Sequence, residues 1–133
     1  MNTAIIDANI IINVWRKEID PATGNKLYVS SAKILDLIFK EKLRGILLTT
    51  TAMEVLHSVR VSAEIAGSPA TFAMKKAERE LSKSGLLLTI PDAGIMGMAY
   101  EMFFDIHTDP YDAIMVATAR AENTDALFPA IKN

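Results

Sequence analysis

The sequence predicts an α/β fold of three layers, α/β/α, with helices on both faces of a central, mostly parallel sheet. Short apolar runs of strand length alternate along the chain with longer stretches whose apolar residues recur at helical spacing. The runs are almost continuously apolar, as expected of strands covered on both faces. The 133 residues, half of them hydrophobic and 23% charged, suit one domain over 1–133 with a core of its own.

"TAIIDANIII", Thr3 to Ile12, reads as a buried strand ending at Ile6 or Asp7, then a turn into a short helix. It is the expected central strand. "SSAKILDLIFKEKLRG" has Ile34, Leu35, Ile38 and Phe39 at helical spacing, serines at its start and Gly45 at its end. "ILLTT", Ile46 to Thr50, is the second expected strand, and "TAMEVLHSVRVSAEIAG" a helix that stops at Gly67. In "SPATFAMKKAERELSKSG", Ser68 is the expected cap, Pro69 the first helical residue and Gly85 the stop. "LLLTI", Leu86 to Ile90, is the third expected strand. "DAGIMGMAYEMFFDIH", weakened by Gly94 and Gly97, and "DPYDAIMVATARAEN" are further helices, and "ALF" around Leu127 a last strand.

Composition narrows the chemistry. No apolar run approaches the ~18 residues of a membrane span, and the N-terminus lacks a basic leader region, so a cytoplasmic protein without membrane contact is expected. The chain has no cysteine, which excludes disulfides and thiolate metal sites; a metal would need carboxylates, His57 or His107. Carboxylates far outnumber the two histidines, favouring hard cations such as Mg²⁺ or Mn²⁺. A net charge of −2 gives no general attraction to nucleic acid.

In parallel α/β folds ligands bind beyond the carboxyl ends of the strands. Asp7 ends the first strand, Glu54 lies in the expected first turn after the second, and Asp109 and Asp112 open a late helix. All four acids therefore belong on one sheet edge. Taken singly each has a plain structural use: Thr51 and Glu54 form a capping box in "TAME", "DPYD" offers a cap, a proline and a first-turn acid, and Asp7 caps the next helix. Together, carboxylates so placed repel unless a cation neutralises them. An acid between two Ile-rich runs is also expensive unless something binds it. A carboxylate-held divalent ion suits phosphodiester hydrolysis.

"IIDANIII", "LLTTTAMEVLHSVR" and "IHTDPYDAIMVATARAEN" resemble, in order and spacing, the three acidic motifs of the PIN-domain ribonucleases, especially VapC-like toxins. The resemblance spans nearly the whole chain. It implies a PIN-like α/β/α domain that binds Mg²⁺ or Mn²⁺ and cuts RNA. Asp7 matches the family's first acid, Glu54 the second and Asp112 the third, while Asp109 matches an additional acid of a "DPxD" form. The resemblance further implies a cognate antitoxin partner and a homodimer. One departure stands out: where the family has a fourth acid in a "T-x-D" sequence, "DALFPAIKN" puts Pro129, Ala130 and Ile131, and Asp125 is a weak substitute.

Other residues have competing readings. His57, three residues after Glu54, is read first as a surface or core-edge histidine. Met96, Met98 and Met102, with Tyr100, Phe103 and Phe104, are read as core, and alternatively as a dimer face. Lys75, Lys76, Arg79 and Lys83 give a solvated face, whereas Arg16, Lys17 and Arg60 are better placed for phosphates. Trp15 is assigned to the core. The leading function is a metal-dependent endoribonuclease of the PIN/VapC type. The alternatives are a degenerate PIN domain that binds RNA or protein without cutting, and a receiver-like phosphoacceptor.

Overall fold

The computed structural model describes residues 2–105, 109–122 and 126–128. Strands β1 (Thr3–Ile6), β2 (Arg44–Leu48), β3 (Leu87–Thr89) and β4 (Ala126–Phe128) form a sheet of order β3-β2-β1-β4. All three pairings are parallel, with Ile5 opposite Ile46 and Leu127, and Ile46 opposite Leu87. The interior strands β1 and β2 are the most apolar: Ala4, Ile5, Ile6 and Leu48 are fully buried. Among the described residues the strands are connected by helices α1 (Ala8–Arg16), α2 (Leu27–Phe39), α3 (Thr49–Ile65), α4 (Ala70–Lys83), α5 (Ala93–Asp105) and α6 (Pro110–Ala121).

Strand periodicity sorts the core into layers. Ala4, Ile6 and Leu47 pack with Ile10 and Ile11 of α1, Ile38 of α2 and Val55 of α3. Their neighbours Ile5, Ile46 and Leu48 point the other way and meet Met115 of α6. Helices thus cover both faces, the expected three-layer α/β/α arrangement. Each such Ile or Leu contributes about 1.5–3 kcal/mol by leaving water. Helix α5 packs mainly on α6, through Ile95 and Ala99 against Ala113 and Ala117.

Several boundaries differ from the sequence expectation. β2 starts and ends two residues early, because pairing with β1 begins at Arg44; Thr49 and Thr50 are already helical. Gly45 does not stop α2 but lies in β2, where an added Cβ would sit 2.5 Å from Cδ1 of Ile38. Any larger residue there needs the side chains of Ile38 and Leu86 to shift. α2 begins at Leu27, ahead of the two serines, and Ser31 is buried with Nδ2 of Asn13 donating to its Oγ at 3.5 Å. Phe39 is 67% exposed, at the end of α2 rather than in the core. Pro69, not Ser68, is the N-cap of α4; the Ser68 N–H instead donates to the Ala63 carbonyl and closes α3. Gly85 follows α4 at φ +87°, as expected of a left-handed stop.

Met98 and Met102 pack against the α5–α6 core, but Tyr100, Phe103 and Phe104 are exposed, with Tyr100 and Phe104 stacked at 6.4 Å. The core reading therefore fails for these three rings. Trp15 packs against the core as expected. The receiver-like alternative is overturned by topology: that fold sets its first strand beside its third, whereas β1 lies between β2 and β4. Among the described residues no helix is long and apolar enough to cross a membrane.

Candidate metal centre

The strand order reverses at β1: the chain steps outward through β2 and β3, then returns to pair β4 on the other side. Asp7 immediately follows β1, at the crevice such a reversal opens. Its backbone is extended (φ −82°, ψ 156°), and its carboxylate accepts the Ala8 N–H at 2.7 Å as the N-cap of α1. Ile6 and Ala8 are buried on either side, while Asp7 is half-buried.

Glu54 enters from α3. Because α3 begins at Thr49 with Leu48 as N-cap and no side-chain cap, Glu54 lies in the second turn, not the first. Thr51 is not a cap either; it is buried, 2% exposed, at the third helical position. The capping box in "TAME" is thus absent, and with it the plain structural use of Glu54. Among the described residues, no hydrogen bond or ion pair holds its carboxylate.

The acids of "DPYD" come from α6. Asp109 is its N-cap: Oδ1 accepts the N–H of Tyr111 at 2.9 Å and of Asp112 at 3.2 Å, with Pro110 at the first helical position. Asp112 is half-buried in the first turn, where a helix favours negative charge.

Glu54 feels the other three acids. Partial burial pushes the Glu54 carboxyl above the ordinary carboxylate range, and the negative charges of Asp7, Asp109 and Asp112 push it the same way. Elements far apart in sequence therefore bring these carboxylates to one edge of the sheet. They do not close on one point: among the described residues no three acidic or histidine side chains stand near enough to hold a single ion. The donor set is nonetheless all oxygen and anionic, the type that fits Mg²⁺ or Mn²⁺.

The neighbouring candidates are engaged elsewhere. His57 is exposed, with Nδ1 accepting from Arg60 Nη2 at 3.2 Å. Arg60 also lies 4.0 Å from Glu64. Arg16 is not held out for phosphates: Nη2 donates to Ser58 and Ser62, tying α1 to α3. Lys75, Lys76, Arg79 and Lys83 lie on the exposed side of α4. His107, Asp125, Pro129, Ala130 and Ile131 lie outside the described residues. The sequence reading gives no role to Tyr111, 52% exposed between the two acids of α6; its place inside "DPYD" is the signal that marks it.

No family model and no curated protein matches this chain. Among solved structures it is similar to a toxin–antitoxin complex from Klebsiella pneumoniae, with a TM-score of 0.62 and 17% identity over 94% of this chain and 84% of that one. At that identity the likeness is one of fold.

Proposed function

We propose that this chain is a PIN-like, VapC-type endoribonuclease dependent on Mg²⁺ or Mn²⁺, the toxin of a toxin–antitoxin pair. The observation that supports it most is Glu54, a half-buried carboxylate without a cationic partner among the described residues, raised first by its burial and then by the charges of three other acids. Ionised carboxylates so placed repel one another, and a bound cation would relieve that repulsion. By the resemblance, Asp7, Glu54 and Asp112 are the residues that would hold the ion, which requires them to draw closer together than they stand here, and Asp109 would hold a second ion or a ligand water. Once bound, the ion supplies an activated water and neutralises charge on the phosphodiester.

The chain's own part is placement. Backbone N–H bonds orient Asp7 and Asp109, each as the cap of a helix, and Asp7 directly follows β1. Four carboxylates facing a phosphate repel it, so RNA binding as well as cleavage depends on the ion. The likeness to the Klebsiella complex and the resemblance to VapC-like toxins support an antitoxin partner. A homodimer rests on that resemblance alone.

The open spacing of the acids, together with the sequence "DALFPAIKN", favours a second reading, a degenerate PIN domain that binds without cutting. Calorimetric titration with Mn²⁺ separates the two. The nuclease reading expects saturable binding that Asp112→Asn weakens; no binding at millimolar metal supports the degenerate domain.

A further inference from the structure

We infer that Tyr111 is a substrate-positioning residue, its ring stacking on a nucleobase beside the scissile phosphate; this rests on the ribonuclease reading above. Tyr111 occupies the second position of α6, between the cap Asp109 and the first-turn Asp112. The Asp109 carboxylate that accepts its N–H also accepts that of Asp112, so the origin of the ring is tied to both acids. The side chain itself does no visible structural work. It is 52% exposed, and among the described residues it makes no hydrogen bond, ring contact or core contact.

Charge supplies the second part of the argument. The acids repel a phosphate backbone, Arg16 is bonded to Ser58 and Ser62, and Arg60 to His57. With these arginines engaged, Lys17 is the one of the three cations set near the site whose side chain has no hydrogen bond or ion pair among the described residues, so a group other than a cation has to add to the grip on a single strand. An exposed aromatic ring is such a group, because every base has a π-face and stacking tolerates any sequence. The exposed rings of the preceding helix, α5, are engaged with one another: Phe104 stacks on Tyr100 and lies tilted against Phe103.

The test uses the full chain and two readouts. Steady-state cleavage of a random-sequence single-stranded RNA reporter in Mn²⁺ is measured for wild type, Tyr111→Phe and Tyr111→Ala. The Ala variant is expected to raise KM about tenfold with kcat held, and the Phe variant, which keeps the ring, to behave as wild type. In parallel, 3-fluorotyrosine-labelled wild-type protein is titrated with phosphorothioate-linked poly(dU), a cleavage-resistant single strand, in Mn²⁺. The ¹⁹F resonance that vanishes in Tyr111→Phe should shift, while that of Tyr28 stays. No cleavage by wild type overturns the ribonuclease reading itself. Cleavage by wild type with KM unchanged in Tyr111→Ala, a loss confined to kcat, or an unmoved Tyr111 resonance overturns the stacking assignment alone.

Discussion

Asp109 has two jobs in this account, and two substitutions separate them. Its Oδ1 accepts two N–H groups at the start of α6, at 2.9 and 3.2 Å. Asp109→Ala removes that acceptor and should cost about 1 kcal/mol, within the 0.5–2 kcal/mol usual for caps. For a chain of this length that lowers Tm by about 3–5 °C. Asp109→Asn keeps an equally good cap. Losing the negative charge at the helix start costs roughly 0.3–1 kcal/mol, but relief of repulsion on Glu54 acts the other way, so its Tm should stay near wild type. Cleavage behaves differently: both variants lose the carboxylate and should cut RNA about 10- to 100-fold more slowly in Mn²⁺. Thermal melting in EDTA and initial cleavage rates in Mn²⁺ give the two readouts. An Asn variant that cuts as well as wild type would reduce Asp109 to a cap. An Ala variant that melts like wild type would refute the cap energetics.

Three further outcomes follow from the same geometry. Glu54 has a raised folded-state pKa, so its contribution to stability is fully present below the ordinary value of 4.5 and lost as pH rises through the folded value. Metal-free Glu54→Gln should therefore melt above wild type at pH 7, the gap closing in acid; a lower Tm at pH 7 contradicts the crowding of acids. Asp20 is lowered by hydrogen bonds from Ala22 N–H and Thr23 Oγ, so its contribution is present above 3.8 and lost as pH falls through its folded value. Asp20→Asn should accordingly flatten the acid limb of a Tm–pH curve, and an unchanged limb counts against that turn. Gly85→Ala forces a side chain to φ +87° with its Cβ 3.2 Å from the Ile38 carbonyl, and should cost about 1–2 kcal/mol by urea unfolding. No loss would place the α4 stop elsewhere.

The layers were legible because "AII" and "ILL" are continuous apolar runs that only a doubly covered strand uses, and because Gly67, Gly85 and "DPYD" punctuate helices in local, readable ways. The boundaries that sequence misplaced depend on partners distant in the chain. β2 starts at Arg44 because β1 pairs there, and Gly45 is set by Ile38 pressing on the strand. "TTTAME" looks like a capping box only while the strand is allowed to run to Thr50; once it ends at Leu48, Thr51 is interior and Glu54 is left without a cap to serve. That shift sharpened the site. Local spacing marked Asp7, Asp109 and Asp112 equally well as caps; the strand-end rule had already placed them with Glu54 on one edge, and the structure adds that their charges, after partial burial, help to raise Glu54. The exposed rings of α5 were misread because an apolar helix gives no sign of how little of it faces α6.

The central claim is that the acid at the end of β1 serves RNA hydrolysis and not only the start of α1. Asp7→Asn is the most direct probe, since the amide oxygen can still accept the Ala8 N–H while the charge is gone. Mn²⁺-dependent RNA cleavage by wild type and variant, each with its melting curve, is the decisive measurement. The account predicts cleavage by wild type, none by Asp7→Asn, and closely similar melting of the two. Equal cleavage by both would contradict it.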